Sequence, residues 1–451
     1  MKRGLPMRAV AMALALAGAS YARAESDRAA FLALLHDGRF EAAQALLRRQ
    51  GPPTRPDDLF FDAFTTYWQL VFDDENPDVR AALDARLDAA IAAAEACSNP
   101  DDNGELWGGS SHLLLAGLRA QQRRPLAAAF EAKKAKRLLE SASQAGGSSS
   151  DALFGLGTYN YLADTVPSYV KGIRALLALP KGNRALGLEQ LAAAAGSRTF
   201  ALEARTLLVT IYANKHERLY GRAIEERDRL LEAFPETIAS AYAAARLDLS
   251  LGRNEASIDR LTRAESRART LGDVDPVVLR SIELLRARAE LSALRPDRAE
   301  ATATAALATG LGLGPSIRED LEAIRKAASR QADGIGWPQV ASERNPSHEA
   351  AAFGALAKAH PERPLLALLA GDGELRAGRA QEALDWFARA VSTGLPPELQ
   401  AGCLFRQGQA EDLLGHRSRA LEFYKRVAAT RGFVAKDAAV YYQQTAYRLG
   451  P

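Results

Sequence analysis

Apolar residues along this chain recur at i, i+3 and i+4 almost everywhere, and strict alternation of apolar with polar positions never persists. That period predicts helices throughout and no strand of consequence. Paired helices are expected over Asp27–Arg49, Leu106–Ser141, Ala204–Pro235, Ile238–Ser266 and Pro276–Leu307, with single helices over Asp58–Asp73, Pro77–Cys97, Ile317–Gln331 and Ser347–His360. In Asp58–Asp73 the large side chains Phe60, Phe64, Trp68 and Phe72 fall every four residues. Four-residue spacing puts them near one helix face, and packing against the next helix is the expected use. Pro125 suits a first helical turn, and Ser347 is the expected N-cap of its helix.

A second regularity lies over the first in Pro364–Arg431. Gly371, Gly378, Ala383, Phe387 and Ala390 stand seven, five, four and three residues apart. Gly408, Gly415, Ala420, Tyr424 and Val427 repeat those intervals. Small residues there let two antiparallel helices approach closely, and the aromatic fills the space beside them. Gly38 and Ala43 keep the five-residue interval near the start, whereas Gly252 and Ala256 stand four apart, so that unit reads as degenerate. A unit of about 34 residues with this pattern resembles the tetratricopeptide repeat (TPR). The expected fold is all-α: a right-handed α-α superhelix, a TPR-like solenoid of antiparallel helix pairs.

Two stretches break the pattern and divide the chain. Gly146–Ser150 reads as a flexible linker, and Asp333–Pro346, with Gly334, Gly336, Trp337 and Pro338, reads as a second boundary. The expected organisation is a leader over 1–24, N-terminal repeats over 25–145, central repeats over 151–332 and C-terminal repeats over 347–451. Residues 438–449 are expected to cap the array.

The leader changes the reading of charge. The 451 residues carry a formal +3, but Lys2, Arg3, Arg8 and Arg23 all fall in the first 24 residues, which hold no acid. The remainder has 54 basic against 55 acidic residues, or −1. Nucleic-acid binding thereby loses its main electrostatic support. The positive start, the apolar run Ala9–Ala19 and Ala22-Arg23-Ala24 before Glu25 have the form of a secretory signal peptide. An exported protein is expected, periplasmic if the host is Gram-negative. No later segment reaches the roughly 18–20 uncharged apolar residues of a membrane span. Cys97 and Cys403 are expected to be two unpaired, buried thiols.

Chemistry is sparsely signalled. No two of the six histidines are spaced as metal ligands on a helix, and no Gly-x-Ser-x-Gly elbow occurs. Asn99–Ser110 superficially matches a calcium loop, but Ser110 stands where a bidentate Glu is required. Gly155-x-Gly157 lacks the third glycine and the strand–helix context of a nucleotide loop. The expectation is a non-enzyme without cofactor or metal. Lys133, Lys134, Lys136 and Arg137 form a basic cluster that reads first as a solvated face and second as a contact for an acidic partner or lipid headgroups.

The least repeat-like part is Asp151–Gly196. Its string Leu153-Phe-Gly-Leu-Gly-Thr-Tyr-Asn-Tyr161, Val166-Pro167, Lys171, Leu179-Pro-Lys-Gly-Asn-Arg184 and Gly187-Leu188-Glu189 resembles bacterial TPR proteins related to the tetratricopeptide repeat protein 39 group. That resemblance implies a helical repeat protein without an assigned reaction. Tyr159 and Tyr161 are expected to present hydroxyls at the surface, as part of a partner face or of a small-molecule site.

The TPR resemblance also implies that the second, fifth, ninth and twelfth positions of each unit line a concave face. These are Arg205, Leu208, Tyr212 and Lys215, then Ala239, Tyr242, Arg246 and Leu249, and finally Gly402, Phe405, Gln409 and Asp412. Tyr212, Lys215, Tyr242 and Arg246 would form an aromatic–basic patch suited to an extended peptide with an acidic group. The Lys/Asn clamp by which some TPR co-chaperones hold a terminal carboxylate is not reproduced. The expected function is a non-catalytic exported scaffold or adaptor binding a protein or peptide. The alternatives are a structural part of a cell-envelope assembly, peripherally associated, or a carrier with a small-molecule site near Tyr159 and Tyr161. The sequence sets neither the partner nor the oligomeric state.

Overall fold

The computed structural model describes residues 27–73, 76–99, 102–144, 149–165, 181–332, 345–430 and 436–449. Among them every regular element is helical, and consecutive helices pack on one another as antiparallel pairs. The fold class is therefore all-α and TPR-like. The expected leader over 1–24 lies outside the described residues, as do most of the two expected linkers. Ser149 and Ser150 already belong to the helix Ser149–Thr165.

The chain forms two compact units. One comprises Met1–Ala241, Ala264–Ser281 and Leu311–Ser316, and the other Tyr242–Arg263, Ile282–Gly310 and Ile317–Pro451. The first holds helices over 27–36, Phe40–Leu47, Pro56–Phe72, Pro77–Ala96, Gly104–Gln121, Pro125–Gln144, Ser149–Thr165, Arg184–Ala194, Ala201–Ala213 and Tyr220–Ala233. The second holds Pro346–Ala359, Pro364–Arg376, Ala380–Ser392, Pro397–Leu413, Arg417–Ala429 and Lys436–Gln444.

One turn recurs inside these pairs. At Gly378 and Gly415 the backbone is left-handed, with φ of 81° and 79°, a region that costs a side chain energy and glycine little. The N–H of each glycine reaches the carbonyl three residues back at 3.0 Å, and the following N–H reaches the carbonyl five back at 2.8–2.9 Å. This double closure satisfies two carbonyls that the ending helix would otherwise leave without donors. The same bonds recur at Gly38 and Gly252, and also at Arg123 and Leu294, which adopt the left-handed conformation despite their side chains. Counting five residues on from Gly252 gives Ser257, which is buried and bonds Ala245 O through its hydroxyl at 2.9 Å. Ser257, not Ala256, occupies the small-residue slot, so this unit keeps the register that the sequence alone makes look degenerate.

Close approach explains the other glycines of the repeat. A Cβ built on Gly371 would lie 2.6 Å from Phe387 Cε1, and one on Gly408 would lie 2.7 Å from Tyr424 Cε1. Each ring fills the hollow that its glycine leaves, and both rings are fully buried. In Pro56–Phe72 the expected core stripe is realised. Phe60, Phe64, Trp68 and Phe72 are buried; Phe60 stacks on Phe64 with centroids 5.4 Å apart, and Phe200 meets both edge-on. Burial of each such ring contributes about 1.5–3 kcal/mol.

Two local expectations need correction. The N-cap of Pro346–Ala359 is Asn345, whose Oδ1 accepts from the N–H groups of Ser347 and His348 at 3.1 and 3.3 Å. With Pro346 at the first helical position, the cap lies two residues before Ser347. Of the two cysteines only Cys403 is buried. Cys97 is half-buried and its thiol donates to Asn99 O at 3.3 Å.

Candidate partner-binding site

The unusual segment 151–196 is first of all a helix crossing. A Cβ on Gly157 would lie 2.9 Å from Gly187 O, and one on Gly187 would lie 2.6 Å from the backbone nitrogen of Tyr161. The helices Ser149–Thr165 and Arg184–Ala194 thus touch backbone to backbone, which side chains at these two positions would forbid. Gly155 makes room for Leu139, and Gly182 packs against the backbone of residues 160–164. Asn183 caps the second helix by accepting from Leu186 N at 3.1 Å. Val166, Pro167, Lys171, Leu179 and Pro180 lie outside the described residues.

The tyrosines of that segment point inward. Tyr159 is 5% exposed and Tyr161 2%, so neither presents its hydroxyl at the surface as expected. Lys136 Nζ sits 5.7 Å from the Tyr159 ring centroid. The Tyr161 hydroxyl donates to Glu217 Oε1 at 3.0 Å and accepts from Asn214 Nδ2 at 2.9 Å. Arg184 donates to the same carboxylate, through Nε at 2.5 Å to Oε1 and through Nη2 to Oε2. Burial alone would raise the Glu217 carboxyl, but the bonds from Arg184 and Tyr161 hold it below its usual range. Burial pushes the Tyr161 hydroxyl up. Tyr161 and Arg184, from the two ends of the unusual string, therefore meet on one acceptor in the turn after Ala201–Ala213. This quartet fastens three elements, and Tyr161 leaves no hydroxyl free for a ligand.

The expected concave-face positions divide three ways. In the first unit Leu208 is buried, Arg205 donates to Glu226 Oε1 at 2.5 Å, Tyr212 is half-buried beside Tyr161, Leu191 and Ile211, and Lys215 is exposed. On Ile238–Ser250, Ala239 and Leu249 are buried, Tyr242 is half-buried and Arg246 is exposed. Tyr212 and Lys215 belong to one compact unit, Tyr242 and Arg246 to the other. On Pro397–Leu413 the expectation fails, because Gly402, Phe405 and Gln409 are buried and the Asp412 carboxylate is fully enclosed. The C-terminal helix covers that row: Phe405 packs 5.8 Å from Tyr442.

A buried ion cluster in the second unit is signalled by no sequence motif. In the second unit Asp372 accepts from Arg406 Nε at 2.5 Å and from Arg376 Nε at 2.8 Å, and Arg376 also reaches Glu349. Burial would raise the Asp372 carboxyl, but the two guanidinium groups hold it at about 2. Beside this cluster lies a cavity of about 20 Å³, lined in part by Arg295, Glu349, Phe353 and Asp372. Arg295 Nη1 and Glu349 Oε1 are buried without partners. The space suffices for about one water and not for an organic substrate. Three imidazole–carboxylate pairs also join elements: His36 with Glu203 at 3.0 Å, His112 with Glu131 at 2.6 Å and His416 with Glu411 at 2.8 Å. Burial pushes the His112 imidazole down although Glu131 opposes it. Among the described residues no group of three or more His, Cys, Asp or Glu is placed to hold a metal ion. Ser110, the mismatched position of the calcium-like stretch, lies buried within Gly104–Gln121.

No family model matches this chain, and no curated protein matches it. Solved helical-repeat structures do. PilW, described as a widely conserved type IV pilus biogenesis factor, is 17% identical over 52% of this chain and 97% of its own, with a TM-score of 0.23. A human IFIT1 dimer with m7Gppp-AAAA is 11% identical over 90% of this chain and 84% of its own, with a TM-score of 0.28. Yeast Tom70 is 12% identical over 91% of this chain and 86% of its own, also with a TM-score of 0.28. These likenesses assign neither a partner nor a reaction to this chain.

Proposed function

We propose that this protein is a non-catalytic, exported scaffold that binds a protein or peptide through its TPR-like helices. The observation that carries this reading is how its charges are used. The acids described above are committed to arginines, histidines and tyrosines of neighbouring elements, whereas Lys215 and Arg246 are exposed three and four residues on in sequence from the half-buried Tyr212 and Tyr242. A half-buried ring and an exposed cation on the same repeat offer area and charge to an extended acidic peptide. With the leader set aside the chain is close to neutral, which favours a peptide over a nucleic acid. Export rests on the form of residues 1–24, and kinship with the tetratricopeptide repeat protein 39 group rests on the string in 151–196.

The test is site-directed photocrosslinking in the producing cell. A benzophenone side chain replacing Tyr212 or Tyr242 should capture a discrete partner, and adding Lys215→Ala or Arg246→Ala should abolish capture while the fold persists. An adduct pattern that ignores both cations would overturn the reading. A structural role in an envelope assembly is the second reading, and cell fractionation separates it from a freely diffusing adaptor.

A further inference from the structure

The helix Pro125–Gln144 carries a surface that nothing above explains. Its buried positions are Ala135, Leu139 and Ala142. On the opposite side, Leu126 is 49% and Phe130 51% exposed. Lys133, Lys134 and Arg137 are exposed on the same side. Positions 126, 130, 133, 134 and 137 fall within a stripe roughly 100° wide and about 17 Å long on a helix of 3.6 residues per turn. The preceding turn adds the exposed Arg123 and Arg124.

None of these five cations has a carboxylate partner among the described residues. The two acids of the helix are engaged, Glu131 with His112 and Glu140 with Lys136. The stripe therefore gathers unneutralised positive charge around two half-exposed apolar side chains, on a chain that is otherwise nearly neutral.

We infer that this face docks on an anionic lipid bilayer. Leu126 and Phe130 would enter the boundary between headgroups and acyl chains, while Lys133, Lys134 and Arg137 contact lipid phosphates with their aliphatic stems lying along the surface. A protein partner fits less well, because lysine is depleted from the dry centres of protein interfaces, whereas a headgroup layer stays hydrated and moulds to a single convex helix. Among the described residues no helix is long and apolar enough to cross a membrane, and the attachment proposed is peripheral. The inference stands apart from the peptide-binding reading, which involves other residues.

Flotation of the full chain with lipid vesicles tests it. Binding is expected to vesicles containing about one third phosphatidylglycerol and not to pure phosphatidylcholine, and to be lost near about 0.5 M salt. At about fivefold for each cation, Lys133→Ala, Lys134→Ala and Arg137→Ala together should weaken binding on the order of 100-fold. Leu126→Ser with Phe130→Ser should also weaken it, with the helical circular dichroism unchanged in both variants. No binding to anionic vesicles, equal binding by both variants, or capture of an acidic helical peptide in place of vesicles would each overturn the proposal.

Discussion

Arg406 donates to Asp372 across 34 residues of sequence, and the carboxylate it reaches is fully engaged, since Arg376 occupies its other oxygen. Each partner is buried or nearly so, and removing one leaves the others charged in a poor solvent. Asp372→Asn is expected to cost about 3–5 kcal/mol at neutral pH, read by urea denaturation. The wild-type contribution has a pH signature. The folded carboxyl sits at about 2 against an ordinary 3.8. A depressed carboxyl stabilises the fold above its unfolded value and loses that contribution as pH falls through the folded one. The gap between wild type and variant should therefore narrow by about 2 kcal/mol between roughly pH 5 and pH 2. A gap that stays constant over that range would show that the pair carries no linked protons.

Glycines in this chain differ in what surrounds them, and alanine distinguishes them. Gly371→Ala and Gly408→Ala would each push a Cβ into a buried ring, at 2.6 and 2.7 Å. Each is expected to cost about 1–3 kcal/mol through overpacking. Gly117 lies mid-helix in Gly104–Gln121, exposed, with nothing within 4 Å of a built Cβ. Gly117→Ala should stabilise by about 1 kcal/mol through helix propensity. Thermal melts of the three variants would settle the ordering. Equal effects at all three positions would contradict the packing described.

The turns make the converse prediction. Arg123 closes its helix in the left-handed conformation with an exposed side chain. Arg123→Gly removes the strain and should raise stability by about 1 kcal/mol. Leu294 adopts the same backbone but is buried with Phe353 and Leu366. Leu294→Gly should therefore destabilise by several kcal/mol, because lost burial outweighs relieved strain. Opposite signs from one substitution type at one turn geometry are the expected result.

These same positions show what the sequence discloses. Gly378 and Gly415 were legible because only glycine takes that turn cheaply, so the chemistry writes itself into residue identity. Arg123 and Leu294 close the same turn invisibly, since strain absorbed by the surrounding fold leaves no mark on composition. Ser257 escapes an Ala/Gly pattern because serine, though small, is not part of that pattern. The candidate site was less legible still. Tyr159 and Tyr161 looked available because sequence does not reveal which way a hydroxyl points, and Glu217, which takes the Tyr161 hydroxyl, lies 56 residues away. Asp372 and Arg376 do stand at i and i+4, but such pairs are common on exposed helices, and Arg406 and Glu349 come from other helices altogether.

The C-terminal helix offers the last test. Asp412 accepts from the Tyr424 hydroxyl at 2.9 Å, from Arg417 at 2.9 Å and from the backbone N–H of Tyr447 at 2.8 Å. Arg417 also donates to the carbonyl of Tyr442 at 2.7 Å, and Tyr442 stacks on Tyr424 with centroids 5.8 Å apart. At the far end, Arg253 donates to the Tyr441 hydroxyl at 3.1 Å. Helix Lys436–Gln444 thus seals the aromatic side of the preceding pair, and Tyr447 just after it holds the buried carboxylate in place. Deleting residues from 436 onward would open Phe405 and Tyr424 to water and strip Asp412 of one donor. Amide exchange in Pro397–Leu413 and Arg417–Ala429 should then rise by orders of magnitude, as for a cooperative segment that has lost its cover. Exchange in Pro56–Phe72, which belongs to the other unit, should change little. Unaltered protection in the last pair would mean that the helix decorates the repeat without closing it.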